Sequence, residues 1–85
     1  MSGRDEPLSG RDRRILAFER RWWRYHGAKE QAIRDIFDIA ATRYYQLLNE
    51  LIDRPEALAS DPVLVKRLRR QRDERNRLRA GREPR

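Results

Sequence analysis

The side chains with the most chemistry to offer are basic, and they crowd one end of the chain. Residues 66–85 carry Lys66, Arg67, Arg69, Arg70, Arg72, Arg75, Arg77, Arg79, Arg82 and Arg85 against Asp73, Glu74 and Glu83, a net of +7. Residues 1–65 balance 11 basic against 11 acidic groups, so the whole excess lies in the last quarter of an 85-residue chain. Only Lys29 and Lys66 are lysines. The guanidinium of arginine presents a planar fork of donors that suits phosphate. A GC-rich genome would also favour Arg over Lys, but it does not explain the net excess. Duplex DNA carries one charge per ~1.7 Å, and neutralising about six to ten phosphates makes affinity fall about 10³–10⁵-fold between roughly 50 and 200 mM salt. A basic tail of this kind reads as an arm for a polyanion.

Other chemistry finds little support. His26 is the single histidine and stands beside Gly27 at a helix end, where it fits the helix terminus better than a general base. There is no cysteine, so disulfides, thiolate metal sites and thiol catalysis are excluded. Glu50 and Asp53 read as solvated helix surface, and no glycine-rich phosphate loop occurs. A non-enzyme without cofactor or metal is expected. The longest apolar run, Ile15 to Phe18, is far short of the roughly 18 residues of a membrane span. The first residues lack the apolar stretch of a signal peptide, so a cytoplasmic protein is expected.

The elements that must position these residues read as helices throughout, because no segment alternates with period two. Residues 1–8 form an expected disordered leader. Ser9 and Asp12 make a capping box for helix one, about Gly10 to Tyr25, with Ile15, Phe18, Trp22 and Tyr25 on one stripe and Leu16, Glu19 and Trp23 on the next. Gly27 reads as a C′ glycine. Helix two, about Ala28 to Phe37, buries Ala32, Ile33, Ile36 and Phe37. A tight turn over 38–40 leads to helix three, about Ala41 to Ile52, with Tyr44, Leu47, Leu48, Leu51 and Ile52 inward. Pro55 opens a short helix to Ala59. Asp61 and Pro62 start the last helix, which docks through Val63, Leu64, Val65 and Leu68. Beyond Leu68 the only large apolar residue is Leu78. The distal helix is therefore expected to fray and to rest on pairs such as Asp73 with Arg77.

Helices two and three fit a helix-turn-helix register. A 20-residue window from Glu30 to Asn49 places Ile33, Phe37, Ile39, Tyr44 and Leu47 at the five apolar positions. Arg34 stands where a small residue is usual, and Asp38 where the turn glycine is usual. Asp38 tolerates a left-handed backbone better than most residues. In this register Ala41, Thr42, Arg43, Tyr45, Gln46 and Asn49 face outward. Arg43 can pair a phosphate or a guanine edge, Gln46 and Asn49 can read adenine, and Thr42 can bond a phosphate or touch a thymine methyl. Of the adjacent aromatic pairs, Trp22 and Tyr44 are the expected core members. Trp23 and Tyr45 are left to flank the core, stack on bases or meet a second subunit.

Several strings are distinctive: Ile15-Leu-x-Phe-Glu19, Trp22-Trp23, Gly27-Ala-Lys-Glu30, Thr42-Arg-Tyr-Tyr-Gln46, Leu48-Asn49, Leu51-Ile-Asp53 and Asp61-Pro62 followed by Leu64-Val-Lys-Arg-Leu-Arg-Arg70. Over about residues 8–72 the chain resembles a family of short actinobacterial helix-turn-helix proteins of unknown function with a nucleoid-associated, DNA-binding member. The resemblance implies an all-helical cytoplasmic DNA binder acting in nucleoid organisation or transcription. The family pattern has Ser at the position of Ala40 and Gly at that of Asp38. Ala40 cannot cap helix three.

The expected architecture is all-α. A three-helix body with a helix-turn-helix unit and a short linking helix fills residues 9–68, and a basic helical arm fills 69–85. The expected partner is double-stranded DNA. The body would read the groove through Ala41, Thr42, Arg43, Tyr45, Gln46 and Asn49. The arm would hold the backbone through Lys66, Arg67, Arg69, Arg70, Arg72, Arg75, Arg77 and Arg79. Rival readings are a protein-interaction module docking on the transcription machinery through the aromatic face of helix one, and an RNA binder. A homodimer would match two half-sites. A membrane partner is not expected, because the arm lacks a broad apolar face.

Overall fold

The computed structural model describes residues 7–22 and 27–82, with side chains through Leu78. Five helices follow one another: α1 (Gly10–Trp22), α2 (Lys29–Phe37), α3 (Ala41–Ile52), α4 (Pro55–Ser60) and α5 (Pro62–Arg82). No strand occurs among the described residues, as the sequence predicts. Trp23, Tyr25, His26 and residues 1–6 lie outside them, so the readings of those residues are not addressed.

Local capping chemistry sets the helix starts. The Ser9 amide donates to Asp12 Oδ2 (3.2 Å) and the Asp12 amide donates to Ser9 Oγ (3.0 Å), closing the expected box. Leu8, assigned to a disordered leader, is instead only 8% exposed and joins the core. As the residue just before the cap, it turns inward while Ser9 holds the helix end. Asp38 closes α2 in the left-handed conformation, φ 58° and ψ 39°, with its amide donating to the Arg34 carbonyl. Asp thus fills the glycine role at the turn. Gly27 does not act as the expected left-handed cap, since no described glycine has positive φ. Ala40 leaves α3 without a side-chain cap. At α5, the Leu64 amide donates to Asp61 Oδ1 (3.3 Å) and Pro62 follows as the first helical residue.

The core gathers buried side chains from all five helices. α3 buries Tyr44, Leu47, Leu48, Leu51 and Ile52, the full set its periodicity predicts. Phe18 is the hub of an aromatic cluster. Trp22 stacks on it at 5.7 Å, while Phe37 (5.5 Å) and Tyr44 (5.6 Å) meet it edge-on. Two predicted core residues are exposed, Ile36 at 47% and Val63 at 67%. Ile33 and Phe37 define the inward line of α2, and Ile36 falls to its side. Leu64, Val65 and Leu68 do the same on α5 and leave Val63 outside.

A polar junction runs through this core. Glu19 of α1, fully buried, accepts from Lys29 Nζ (3.0 Å) at the start of α2 and from the Tyr44 hydroxyl (2.5 Å) of α3. One carboxylate therefore ties three helices together. Burying an ion pair costs several kcal/mol of desolvation per ion, which good geometry and extra hydrogen bonds offset.

Candidate nucleic-acid interface

The outward face of α3 follows from its inward one. With Tyr44, Leu47, Leu48 and Leu51 turned to the core, Thr42, Arg43, Gln46 and Asn49 are exposed. Arg43 Nη1 donates to Gln46 Oε1 (3.3 Å), so these two side chains are aligned across one helical turn. The acidic Glu50 shares this exposed surface.

Two predicted members do not face freely outward. Ala41 is half-buried against the core. Tyr45 is half-buried too, edge-on to Tyr44 (5.3 Å) with Lys29 Nζ 5.5 Å from its ring centroid. Lys29 of α2 lies over its ring, and Tyr45 also borders a groove against α5. Burial pushes the Tyr44 phenol far above its ordinary range, helped by the charge of Glu19 and by the hydrogen bond to it. Burial also raises Tyr45, with Glu19 and Glu30 adding and Arg75 opposing.

The basic residues of α5 divide by partner. Arg69 Nε donates to the Ile52 carbonyl (2.5 Å), and Arg72 Nη1 reaches both carboxylate oxygens of Asp53 at 3.0 Å. These arginines satisfy the C-terminal end of α3, where cations are favoured by the helix dipole. They fasten α5 to the body beyond Leu68, so the helix crosses the expected boundary at 68/69 without a break. Asp73 pairs with Arg72 and Glu74 with Arg77, in place of the expected Asp73–Arg77 pair. Arg67 is half-buried. Lys66, Arg70 and Arg75 are exposed, and no described carboxylate forms an ion pair with them. The Arg79 side chain is outside the described set. The positive excess is real, but part of it is spent within the molecule.

Helical spacing puts Lys66 and Arg70 on one side of α5 and Arg75 on the side of Leu68 and Arg72. There Arg75 and Asn76 border a groove with Tyr45 and Asn49 of α3. Sequence reasoning missed Lys29, Gln71 and Asn76 as part of this surface. The one available signal was Lys29, one of two lysines in an arginine-rich chain, placed opposite an acidic residue on a mostly apolar stripe.

Residues 7–80 match the family described as Protein of unknown function (DUF3263). The chain belongs to DUF3263. The DUF3263 region takes in α1 to α4 whole and all but the last two residues of α5, beyond the 8–72 span of the sequence resemblance. No curated protein and no solved structure matches this DUF3263 chain. No helix among its described residues is long and apolar enough to cross a membrane.

Proposed function

We propose that this chain is a small DNA-binding protein of the nucleoid-associated or transcription-regulator type. In this reading α2 and α3 act as a helix-turn-helix. Thr42, Arg43, Gln46 and Asn49 meet base edges, while the cations of α5 neutralise phosphates with little sequence preference. One observation supports it: Asn49 on the exposed face of α3 and Arg75 on α5 line the same groove, so the polar face of α3 and a cation of α5 adjoin.

The internal commitments of Arg67, Arg69 and Arg72 lower the expected phosphate count to about five, for a slope of log K against log salt of about −4.5. Gel-shift titration of the full chain on duplex DNA measures that slope. A flat response overturns the reading, and preference for structured RNA in competition redirects it.

A second reading has its own observation. Ala17, Phe18, Trp22 and the exposed Ile36 line an apolar hollow flanked by Arg14 and Arg21. A protein-interaction module would use this face. Tight protein binding abolished by Ile36→Glu, with no retention on DNA, would favour it.

A further inference from the structure

The groove between α3 and α5 encloses about 180 Å³. Its lining includes Lys29, Tyr45, Asn49, Gln71, Arg75 and Asn76. Beside it on α5, Arg69 bonds a carbonyl and Arg72 pairs with Asp53, while Arg77 pairs with Glu74 and Lys66 and Arg70 lie on another side of the helix. Arg75 forms no such pair, and no side-chain hydrogen bond joins Asn49, Gln71 or Asn76 to another described residue. Four donor-bearing side chains thus converge on one hollow with their donors unspent.

The floor adds a fifth. Lys29 is only 6% exposed, and an ammonium has three donors. Glu19 accepts one, and the Tyr45 ring offers only a diffuse second contact. Lys29 lines the groove with donor capacity beyond its bond to Glu19, so an acceptor seated there can meet it. The acceptor should be an anion. Glu19 is neutralised by Lys29 and Arg72 by Asp53, which leaves the charge of Arg75 in excess. A cation would find no unspent carboxylate here. Donors arriving from a floor and two walls suit an anion with acceptors on all sides.

We propose that this groove is a seat for a phosphate group, either the monoester of a free nucleotide or a diester of a polynucleotide backbone. Arg75 grips two oxygens through its fork. The amides of Gln71 and Asn76 close on the others, with Asn49 at the rim, and Lys29 meets the ligand from below. The proposal rests on the DNA-binding reading only for the polynucleotide source.

The test is two-dimensional NMR of the ¹⁵N-labelled full chain at constant ionic strength, titrated separately with inorganic phosphate, AMP and a short DNA duplex. Saturable shifts of the Arg75 Nε–H and of the Gln71 and Asn76 side-chain amides are expected with all three. Arg75→Gln should weaken them about tenfold and Arg70→Gln less than about twofold, since only the first removes a charge-assisted hydrogen bond in the groove. Both positions are exposed, so neither variant endangers the fold. Should phosphate and AMP saturate the groove while duplex DNA leaves it still and gel shifts show no binding, the seat stands and the DNA reading falls. Should duplex DNA bind with a steep salt slope while these groups stay still, and phosphate act no differently from chloride, the seat is overturned and the DNA reading stands.

Discussion

The junction of Glu19, Lys29 and Tyr44 and the distal half of α5 are built from similar groups and do opposite things. At the junction, charges are withdrawn from water and each oxygen of Glu19 has a donor. On α5 past Arg72, Arg75 and Arg77 are exposed, and the Arg77–Glu74 pair lies open to solvent at 3.3 Å. Between them stand Arg69 and Arg72, half-buried and anchored on the end of α3. The gradient teaches that a charge count says little until each charge is followed to its acceptor. Buried, an ion fixes helices against one another; anchored, it caps; exposed, it is available to a partner.

The comparison breaks hardest at the junction. Lys29→Met should leave Glu19 buried without its counter-ion and cost about 3–5 kcal/mol in chemical denaturation. A cost under ~1 kcal/mol would mean that the junction is no more committed than the arm. One step outward, Arg69→Ala should cost about 1–3 kcal/mol by opening the Ile52 carbonyl. Arg72→Ala should cost under about 1 kcal/mol, because its partner Asp53 is 60% exposed.

Alkali sharpens the contrast. The folded chain holds the Tyr44 proton well past its ordinary value of 10.0, whereas the unfolded chain releases it there. Folded protein then binds more protons than unfolded. The stabilisation is complete below pH 10 and declines above it by about 1.4 kcal/mol per pH unit. Denaturation curves at rising pH should show this loss, and Tyr44→Phe should flatten it. The smallest stability effect is expected at the far end. Truncation after Arg72 should change stability by less than about 0.5 kcal/mol, as for surface changes generally. The same truncation should weaken duplex DNA binding for all sequences alike. A large loss of stability would show that the distal arm belongs to the body.

What was legible in the sequence was local. Ser9 with Asp12, Asp61 with Pro62, and the five inward residues of α3 are determined within a few positions, and all are found as read. Asp38 could be foreseen in the left-handed region because its short side chain tolerates it. Non-local matters were not legible. Ile36 and Val63 fit apolar stripes, but which side of a stripe is covered depends on the neighbouring helix. Arg69 and Arg72 look like the rest of a basic run until α5 is laid against the end of α3. Tyr45 was assigned outward because helical spacing alone cannot foresee Lys29, from another helix, lying over its ring. The charge asymmetry was plain from composition; how much of it is internally spent was not.

Two helix-start carboxylates have a second duty. Asp12 closes the box with Ser9 and also accepts from Arg54 Nη1 (3.0 Å), next to α4. Asp61 caps α5 through one oxygen and takes Arg20 Nε of α1 (2.7 Å) on the other. Each is a shared fastener: unwinding the first turn of α1 slackens its grip on the segment before α4, and unwinding that of α5 releases α1. Amide hydrogen exchange at these starts should therefore rise and fall together, as though the chain's punctuation marks were also its rivets.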